Sequence, residues 1–171
     1  IREVTSVLSE KSLTSSAFEG GKRVQQFENL LSKFVKSKYA IAVNSGSSAI
    51  QLSLMSLGLK KDADVITSTN SFVASANTIK MANGNPILAD IHESDGNINI
   101  DGIEKSVDAI VPVHIYGNPC DFDSVKSFAD EQKIPIIEDA CQAHGALYKN
   151  KKVGSISDVG CFSFYPTKNM T

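Results

Sequence analysis

The sequence lacks the features that would place it in several large classes of protein. Its 17 basic and 19 acidic residues leave a net charge of −2, so no excess of positive charge indicates nucleic-acid binding. No apolar run approaches the roughly 20 residues that a membrane-spanning helix needs. No signal peptide opens the chain, and the expected location is therefore the cytoplasm.

Cysteine is scarce, and the spacing of the cysteines does not match a disulfide-bonded or zinc-binding pattern. An odd number of cysteines without a CxxC motif argues against a disulfide scaffold and against a zinc site, so we expect no metal. What remains is an ordinary globular composition: 171 residues, 42% of them hydrophobic, suggest about one domain with a sizeable core. Because the chain begins at Ile1 rather than at methionine, we expect a piece of a longer protein.

Short β-rich runs alternate with helical patterns along most of the chain. Residues 1–21 are polar and predict an arm with little core of its own, and apolar residues at three- and four-residue steps then predict a helix from Val24 to Phe34. The alternation beyond it predicts an α/β fold of three layers, a mostly parallel sheet with helices on both sides. The predicted strands are Tyr39–Val43, Val65–Thr67, Pro86–Ile91, Ala109–Val113, Ile134–Ile137 and Val159–Tyr165; the predicted helices are Ser47–Leu57, Phe72–Met81 and Asp121–Gln132; and Ala146–Tyr148 with Lys152–Gly154 predicts a hairpin.

The first motif with chemical meaning is the turn Asn44–Ala49, between a predicted strand and a predicted helix. Gly46 permits close approach of the backbone, and the helix that follows offers unpaired N–H groups and the positive end of its dipole. Ser45, Ser47 and Ser48 add hydroxyl groups that can cap the helix or bind an oxyanion, so the turn is suited to bind a phosphate. The alternative is a plain strand–turn–helix with a serine cap.

The second motif is a pair of acids, Glu138 and Asp139, at the carboxyl end of an apolar strand. Open α/β sheets bind their ligands at this edge. Strand alternation points the two carboxylates in opposite directions, so they are not expected to share one task. The alternative is an aspartate that caps the next segment.

The third motif is the apolar segment Gly160–Tyr165, which leads through Pro166 to Lys168. Alone, such a lysine is usually exposed to solvent. Beside a phosphate turn and an aspartate at a strand end, it completes the set that pyridoxal phosphate needs: an amine for the aldehyde, a carboxylate for the pyridinium nitrogen and a helix terminus for the phosphate. We expect His114, which follows the strand Ala109–Val113, to face the same edge. His114 and His144 would each be either a structural residue or a base.

Five segments in the same order resemble the DegT/DnrJ/EryC1/StrS family, pyridoxal-phosphate-dependent sugar aminotransferases of the aspartate aminotransferase superfamily (fold type I). The resemblance runs from about Gly20 to the end of the chain. The segments that carry it are 44–58, 64–77, 111–121, 138–145 and 160–168.

The resemblance implies a role for each matched residue. Asp139 would pair with the ring nitrogen of the cofactor, and Lys168 would bind its aldehyde; these two are the expected catalytic residues. Phe72 would stack on the pyridine ring, and Gln142 would lie near the ring hydroxyl. The phosphate ligands would be Gly46, Ser47, Ser48 and Ser163.

The resemblance also implies an activity. An amino group would pass from an amino acid, most often glutamate, to a keto-sugar nucleotide in the biosynthesis of amino sugars and polysaccharides, with active sites formed in a homodimer. Similar sugar 3-dehydratases carry histidine at the position of Lys168, so lysine favours transamination. The alternatives are a dehydratase or lyase with the same cofactor, or a non-catalytic binding module that keeps the fold.

Members of the family are about twice as long as this chain. The resemblance therefore implies that residues 1–21 form an N-terminal arm and that residues 22–171 form a large cofactor-binding domain, incomplete just after Lys168. The family's smaller C-terminal domain would be absent.

Overall fold

Residues 2–10 and 20–170 are described by a computed structural model, in which the chain divides into two units after Ala42. The first unit contains helices α1 (Arg2–Ser9) and α2 (Lys22–Val35). Helix α2 confirms the amphipathic prediction. Helix α1 lies where an irregular arm was expected, although it buries none of its residues, and residues 11–19 of the predicted arm lie outside the described ranges.

The predicted strand at Tyr39–Val43 is wrong, because these residues form no strand. Its alternating apolar side chains are exposed, Tyr39 by 72% and Ile41 by 82%. The amide of Ala42 donates instead to the Glu28 carboxylate at 2.7 Å. An alternating apolar pattern shows that a segment could join a sheet. A strand forms only where a neighbouring strand pairs with its backbone N–H and C=O groups.

The second unit is built on a parallel sheet, as predicted. The strands are β1 (Asp64–Ser68), β2 (Asn85–Ala89), β3 (Ala109–Val111), β4 (Ile137–Asp139), β5 (Leu147–Tyr148), β6 (Lys151–Lys152) and β7 (Val159–Cys161). The sheet has the order β2–β1–β3–β4–β7, in which parallel bridges at Ile110–Ile136 and Val113–Asp139 join β3 to β4. Strands β5 and β6 form the small antiparallel hairpin that the sequence predicted.

Helices cover both faces of this sheet, which confirms the three-layer α/β prediction. Helices α3 (Gly46–Ser56) and α4 (Ala74–Met81) pack on one face, and α5 (Phe122–Gln132) packs on the other. Successive strand residues alternate between the two cores: Val65 packs with α3 and α4, whereas Ile66 packs with α5. Within the described ranges, no helix is both long enough and apolar enough to cross a bilayer.

Two strands of the sheet differ from their predicted bounds more than the others do. A strand was predicted at Ile134–Ile137, but β4 begins only at Ile137 and continues to Asp139. A strand was predicted at Val159–Tyr165, but β7 ends at Cys161. The last register pair of these strands is Asp139 with Cys161, after which the β4 chain turns away. Ser163 and Lys168 therefore lie on an irregular segment beyond the strand rather than on it.

Candidate functional site

The amino end of α3 packs against the loops that follow β4 and β7. The Ser45 hydroxyl caps the helix by accepting the amide of Ser48 at 3.1 Å. A Cβ atom added to the buried Gly46 would lie 2.9 Å from both the Cys141 Sγ and the Ser163 Cβ. Glycine is therefore what lets the helix terminus approach the β7 loop this closely.

This approach brings together three hydroxyl-bearing residues that the sequence assigned to a phosphate. Ser47 and Ser48 are half-buried on the first turn of α3, and the half-buried Ser163 lies against Gly46. We call Ser47, Ser48 and Ser163 the serine cradle. The first amides of a helix have no partner within the helix and carry partial positive charge, so the cradle has the chemistry of an anion site.

Asp139 lies at the end of β4 and is only 5% exposed. One carboxylate oxygen accepts the Ser75 hydroxyl of α4 at 2.9 Å, and the other accepts the amide of Cys141 at 3.2 Å. Cys141 thereby connects Asp139 to the cradle, because its sulfur lies beside Gly46. Two donors leave lone pairs of this carboxylate available to a ligand.

Glu138 points to the opposite face, as strand alternation predicted, and is fully buried. It accepts the amides of Gly154, Ile156 and Ser157 and the Ser157 hydroxyl, all within 3.0 Å. Burial by itself would raise the pKa of Glu138, but the hydrogen bonds from His114 and Gly154 outweigh it and hold the pKa below its ordinary value. Glu138 therefore fixes the segment after the hairpin.

His114 belongs to the same buried cluster. Its Nδ1 accepts the amide of Cys120 at 3.2 Å, so the ring proton lies on Nε2, which is 3.0 Å from the Glu138 carboxylate. With both nitrogens engaged and no exposed surface, His114 takes the structural role that the sequence left open.

Lys168 lies in an open cavity of about 390 Å³ at the carboxyl edge of the sheet. Gln142 and Tyr116 line the same cavity, and the Gln142 side chain accepts the amide of Tyr116 at 2.9 Å. Tyr116 has a left-handed backbone (φ 56°), which is uncommon for a residue with a side chain. The cavity thus brings Lys168 and Gln142 together.

Two neighbours of Lys168 define its surroundings. Burial, together with the charge of Asp139, raises the pKa of the Cys141 thiol, and the ammonium of Lys168 opposes this shift. The His144 ring contacts the rings of Phe162 and Phe164, with centroid distances of 5.4 and 5.1 Å, and its Nδ1 lies 3.2 Å from the Asn169 side chain. Burial lowers the pKa of His144 and therefore favours its neutral ring. The contact of this ring with Asn169 anchors the chain next to Lys168.

Phe72 is less enclosed by the candidate site than the other predicted residues are. It lies on the turn that enters α4, where its carbonyl accepts the amide of Ser75 at 3.1 Å. Its ring is 70% exposed. The backbone at Phe72 is thus one hydrogen bond from the residue that holds Asp139, while the ring lies largely in solvent.

Sequence reasoning missed Ser75 and Cys141, which hold Asp139. The only signal for Ser75 was its position four residues after Ser71 at the start of a helix, a spacing that is common and carries no chemistry alone. Cys141 was counted only as a thiol, whereas its amide and its bulk are what the site uses.

The arrangement offers an anion cradle, a buried carboxylate and an amine along one edge of a parallel sheet. In the described part of the chain, no three His, Cys, Asp or Glu residues cluster in a way that could hold a metal ion. The groups that this edge offers to a ligand are hydroxyl groups, amides, the Asp139 carboxylate and the Lys168 amine.

Known proteins share this sequence and fold. The chain is 40% identical over 174 residues to a spore coat polysaccharide biosynthesis protein of Bacillus subtilis, covering 99% of this chain and 43% of the relative. It is 33% identical to the dTDP-3-amino-3,4,6-trideoxy-alpha-D-glucose transaminase of Streptomyces venezuelae, covering 99% and 46%.

A solved structure agrees with these relatives. The GDP-4-keto-6-deoxy-D-mannose-3-dehydratase of Escherichia coli, with bound hydrated pyridoxal phosphate, superimposes with a TM-score of 0.90 at 28% identity, covering 99% of this chain and 45% of that one. The chain thus spans less than half the length of the proteins that it matches. Residues 2–171 match one family throughout, and the chain belongs to the DegT/DnrJ/EryC1/StrS aminotransferase family.

Proposed function

We propose that residues 22–171 form the cofactor-binding part of a pyridoxal-phosphate-dependent aminotransferase. In this proposal the enzyme transfers an amino group from an amino acid, most often glutamate, to a keto-sugar nucleotide for amino-sugar and polysaccharide biosynthesis. One observation carries it: Cys141 joins the serine cradle to Asp139, at the sheet edge where Lys168 and Gln142 share a cavity.

The donor set fits the three reactive parts of this cofactor. The amino end of α3, with Ser47, Ser48 and Ser163, suits the phosphate; Gly46 is the position where a Cβ atom would prevent the packing of that end against Ser163. The Asp139 carboxylate suits the ring nitrogen, and the Lys168 amine suits the aldehyde. Gln142, fixed by Tyr116, would contact the ring hydroxyl, and Phe72 would cover the ring.

The bound cofactor supplies an electron sink for the negative charge that develops when a substrate loses a proton. Asp139 would keep the ring nitrogen protonated, because an ionised carboxylate stabilises the proton opposite it. Lys168 would hold the cofactor in the resting enzyme. Once released, its amine would be placed to move a proton to or from the carbon next to the substrate nitrogen.

The main competing function is dehydration of a sugar with the same cofactor. Its support is the similarity to the Escherichia coli dehydratase, whose TM-score of 0.90 means that the fold does not separate the two reactions. The discriminating residue is Lys168, because the resemblance associates histidine at this position with dehydration. Lys168 therefore favours transamination.

Glutamate and a keto-sugar nucleotide together test the proposal on the natural full-length protein. We expect a yellow protein whose absorbance shifts to that of pyridoxamine phosphate when glutamate is added, with one 2-oxoglutarate released per active site. Adding the keto-sugar nucleotide should reverse the shift and produce an amino sugar. Bound cofactor without the glutamate reaction would favour the dehydratase or a lyase, and no bound cofactor would favour a binding module.

The family resemblance further supports a cytoplasmic homodimer. Because the site residues of this chain would surround the cofactor only in part, a second copy would complete the active site. Light scattering of the full-length protein at micromolar concentration should give twice the monomer mass, and a monomer that binds cofactor tightly would contradict this proposal.

A further inference from the structure

Asp139 is held by a short chain of serine hydroxyls on α4. The Ser75 side chain is 1% exposed and its hydroxyl donates to Asp139 at 2.9 Å. The hydroxyl of Ser71, half-buried one turn earlier, lies 2.8 Å from that of Ser75. Both serines precede or begin the helix that packs beside β1 and β2.

The donor count fixes the direction of this chain. A serine hydroxyl has one proton, and an ionised carboxylate only accepts hydrogen bonds. Because the Ser75 proton goes to Asp139, the bond between the two serines must be donated by Ser71. The order is therefore Ser71 to Ser75 to Asp139, and each hydrogen bond polarises the next.

We propose that Ser75 is a positioning residue for Asp139 and that Ser71 orients the Ser75 hydroxyl. This inference rests on the proposed function, since the carboxylate is positioned for the cofactor's ring nitrogen. Ser75 fixes one carboxylate oxygen and the Cys141 amide fixes the other, so the plane of the carboxylate is set from both sides. Without Ser75, the buried carboxylate keeps one anchor and turns about its side-chain bonds.

The neighbouring hydroxyl of Thr78 supplies a matched control. It lies on the same helix and is also 1% exposed, but it donates to the Ser75 carbonyl at 3.1 Å and not to Asp139. Thr78→Val removes an equally buried hydroxyl at almost constant volume. Its effects therefore report the general cost of losing a buried hydroxyl on α4.

The experiment compares full-length wild type, Ser75→Ala, Ser71→Ala and Thr78→Val. The cofactor dissociation constant should rise about tenfold in Ser75→Ala, which corresponds to about 1.4 kcal/mol. It should rise about threefold in Ser71→Ala and less than twofold in Thr78→Val. With ¹⁵N-labelled pyridoxal phosphate, the ring-nitrogen resonance of Ser75→Ala should move towards that of the unprotonated pyridine, while Thr78→Val keeps the wild-type position.

The ring-nitrogen resonance separates positioning from general stability, because a loss of folding alone does not move it in the bound fraction. Equal resonances in Ser75→Ala, Ser71→Ala and wild type would overturn the inference and leave the proposed function intact. A wild type that binds no pyridoxal phosphate would overturn both. Should Ser75→Ala fail to fold, Ser71→Ala, at a half-buried site, decides alone by its resonance.

Discussion

Two adjacent carboxylates, Glu138 and Asp139, end the same strand and are almost equally buried, at 0% and 5% exposure. Glu138 is surrounded by four donors from one short segment and by His114. Asp139 accepts from the Ser75 hydroxyl and the Cys141 amide, and the sulfur of Cys141 lies beside Gly46 at the serine cradle. Burial therefore does not distinguish the two carboxylates; the number of lone pairs left for a ligand does.

The same distinction applies to the two sides of β4. On the Glu138 side, every hydrogen bond to the carboxylate comes from the protein itself. The single Glu138 side chain fixes the segment 154–157. On the Asp139 side, the neighbours are groups that suit a bound molecule. A mutation on the first side should reduce stability, and one on the second side should reduce cofactor chemistry.

Removal of the enclosed carboxylate should have the largest effect. Glu138→Ala leaves three amides and His114 without their acceptor, so we expect the free energy of unfolding to fall by at least about 3 kcal/mol. Urea unfolding measures this loss. Glu131→Ala, at an exposed site on α5, should change stability by no more than about 0.5 kcal/mol; an equal loss in both variants would contradict the comparison.

Replacement of the other carboxylate should reverse the pattern. Asp139→Asn removes the charge that we propose keeps the ring nitrogen protonated, and we expect the glutamate half-reaction to slow by at least about a hundredfold. The unfolding free energy should change by only about 1 kcal/mol, because the amide has a similar shape and can keep a hydrogen bond to the Cys141 amide. A near-normal half-reaction would exclude the proposed role of Asp139.

A methyl group at the cradle should have a smaller but mixed effect. The added Cβ of Gly46→Ala would lie 2.9 Å from the Cys141 Sγ and the Ser163 Cβ, which forces α3 away from the β7 loop. We expect a loss of about 1–3 kcal/mol in stability and weaker cofactor binding. Ser56→Ala, at the exposed far end of α3, should change neither; unaltered cofactor affinity in Gly46→Ala would count against the cradle.

The smallest expected effect is the pH dependence of the stability that Glu138 contributes. Because the pKa of Glu138 lies below its ordinary value of 4.5, its contribution to stability is present above pH 4.5 and is lost as pH falls through the lower, folded-state value. The stability gap between wild type and Glu138→Gln should therefore narrow as pH falls below 4.5. A gap that stays constant from pH 7 to pH 3 would contradict this account of Glu138.

The sequence predicted those features of the fold that depend on the local pattern of side chains. Strand and helix periods predicted the parallel sheet and the helices on its two faces, and alternation at β4 predicted that Glu138 and Asp139 point apart. The strand at Tyr39–Val43 was wrong because its pattern could not reveal whether a neighbouring strand would pair with it. The early end of β7 has the same cause, since the β4 chain turns away after Asp139.

Contacts between distant segments were beyond sequence reasoning. Nothing in the pattern around Ser75 indicates that its hydroxyl meets Asp139, 64 residues later. Nor does the turn at Gly46 indicate that its glycine makes room for Cys141 and Ser163. The residues that bind a ligand could be proposed from their types and order, but the residues that hold them in place required the fold.

Reduction of the full-length protein with borohydride, followed by peptide mapping, tests the central claim most directly. Borohydride fixes the cofactor to the amine that binds its aldehyde. We expect the yellow colour to bleach and a single pyridoxyl label to appear on Lys168, and Lys168→Ala to show neither. A label on any other lysine, or none on a protein that binds the cofactor, would contradict the account.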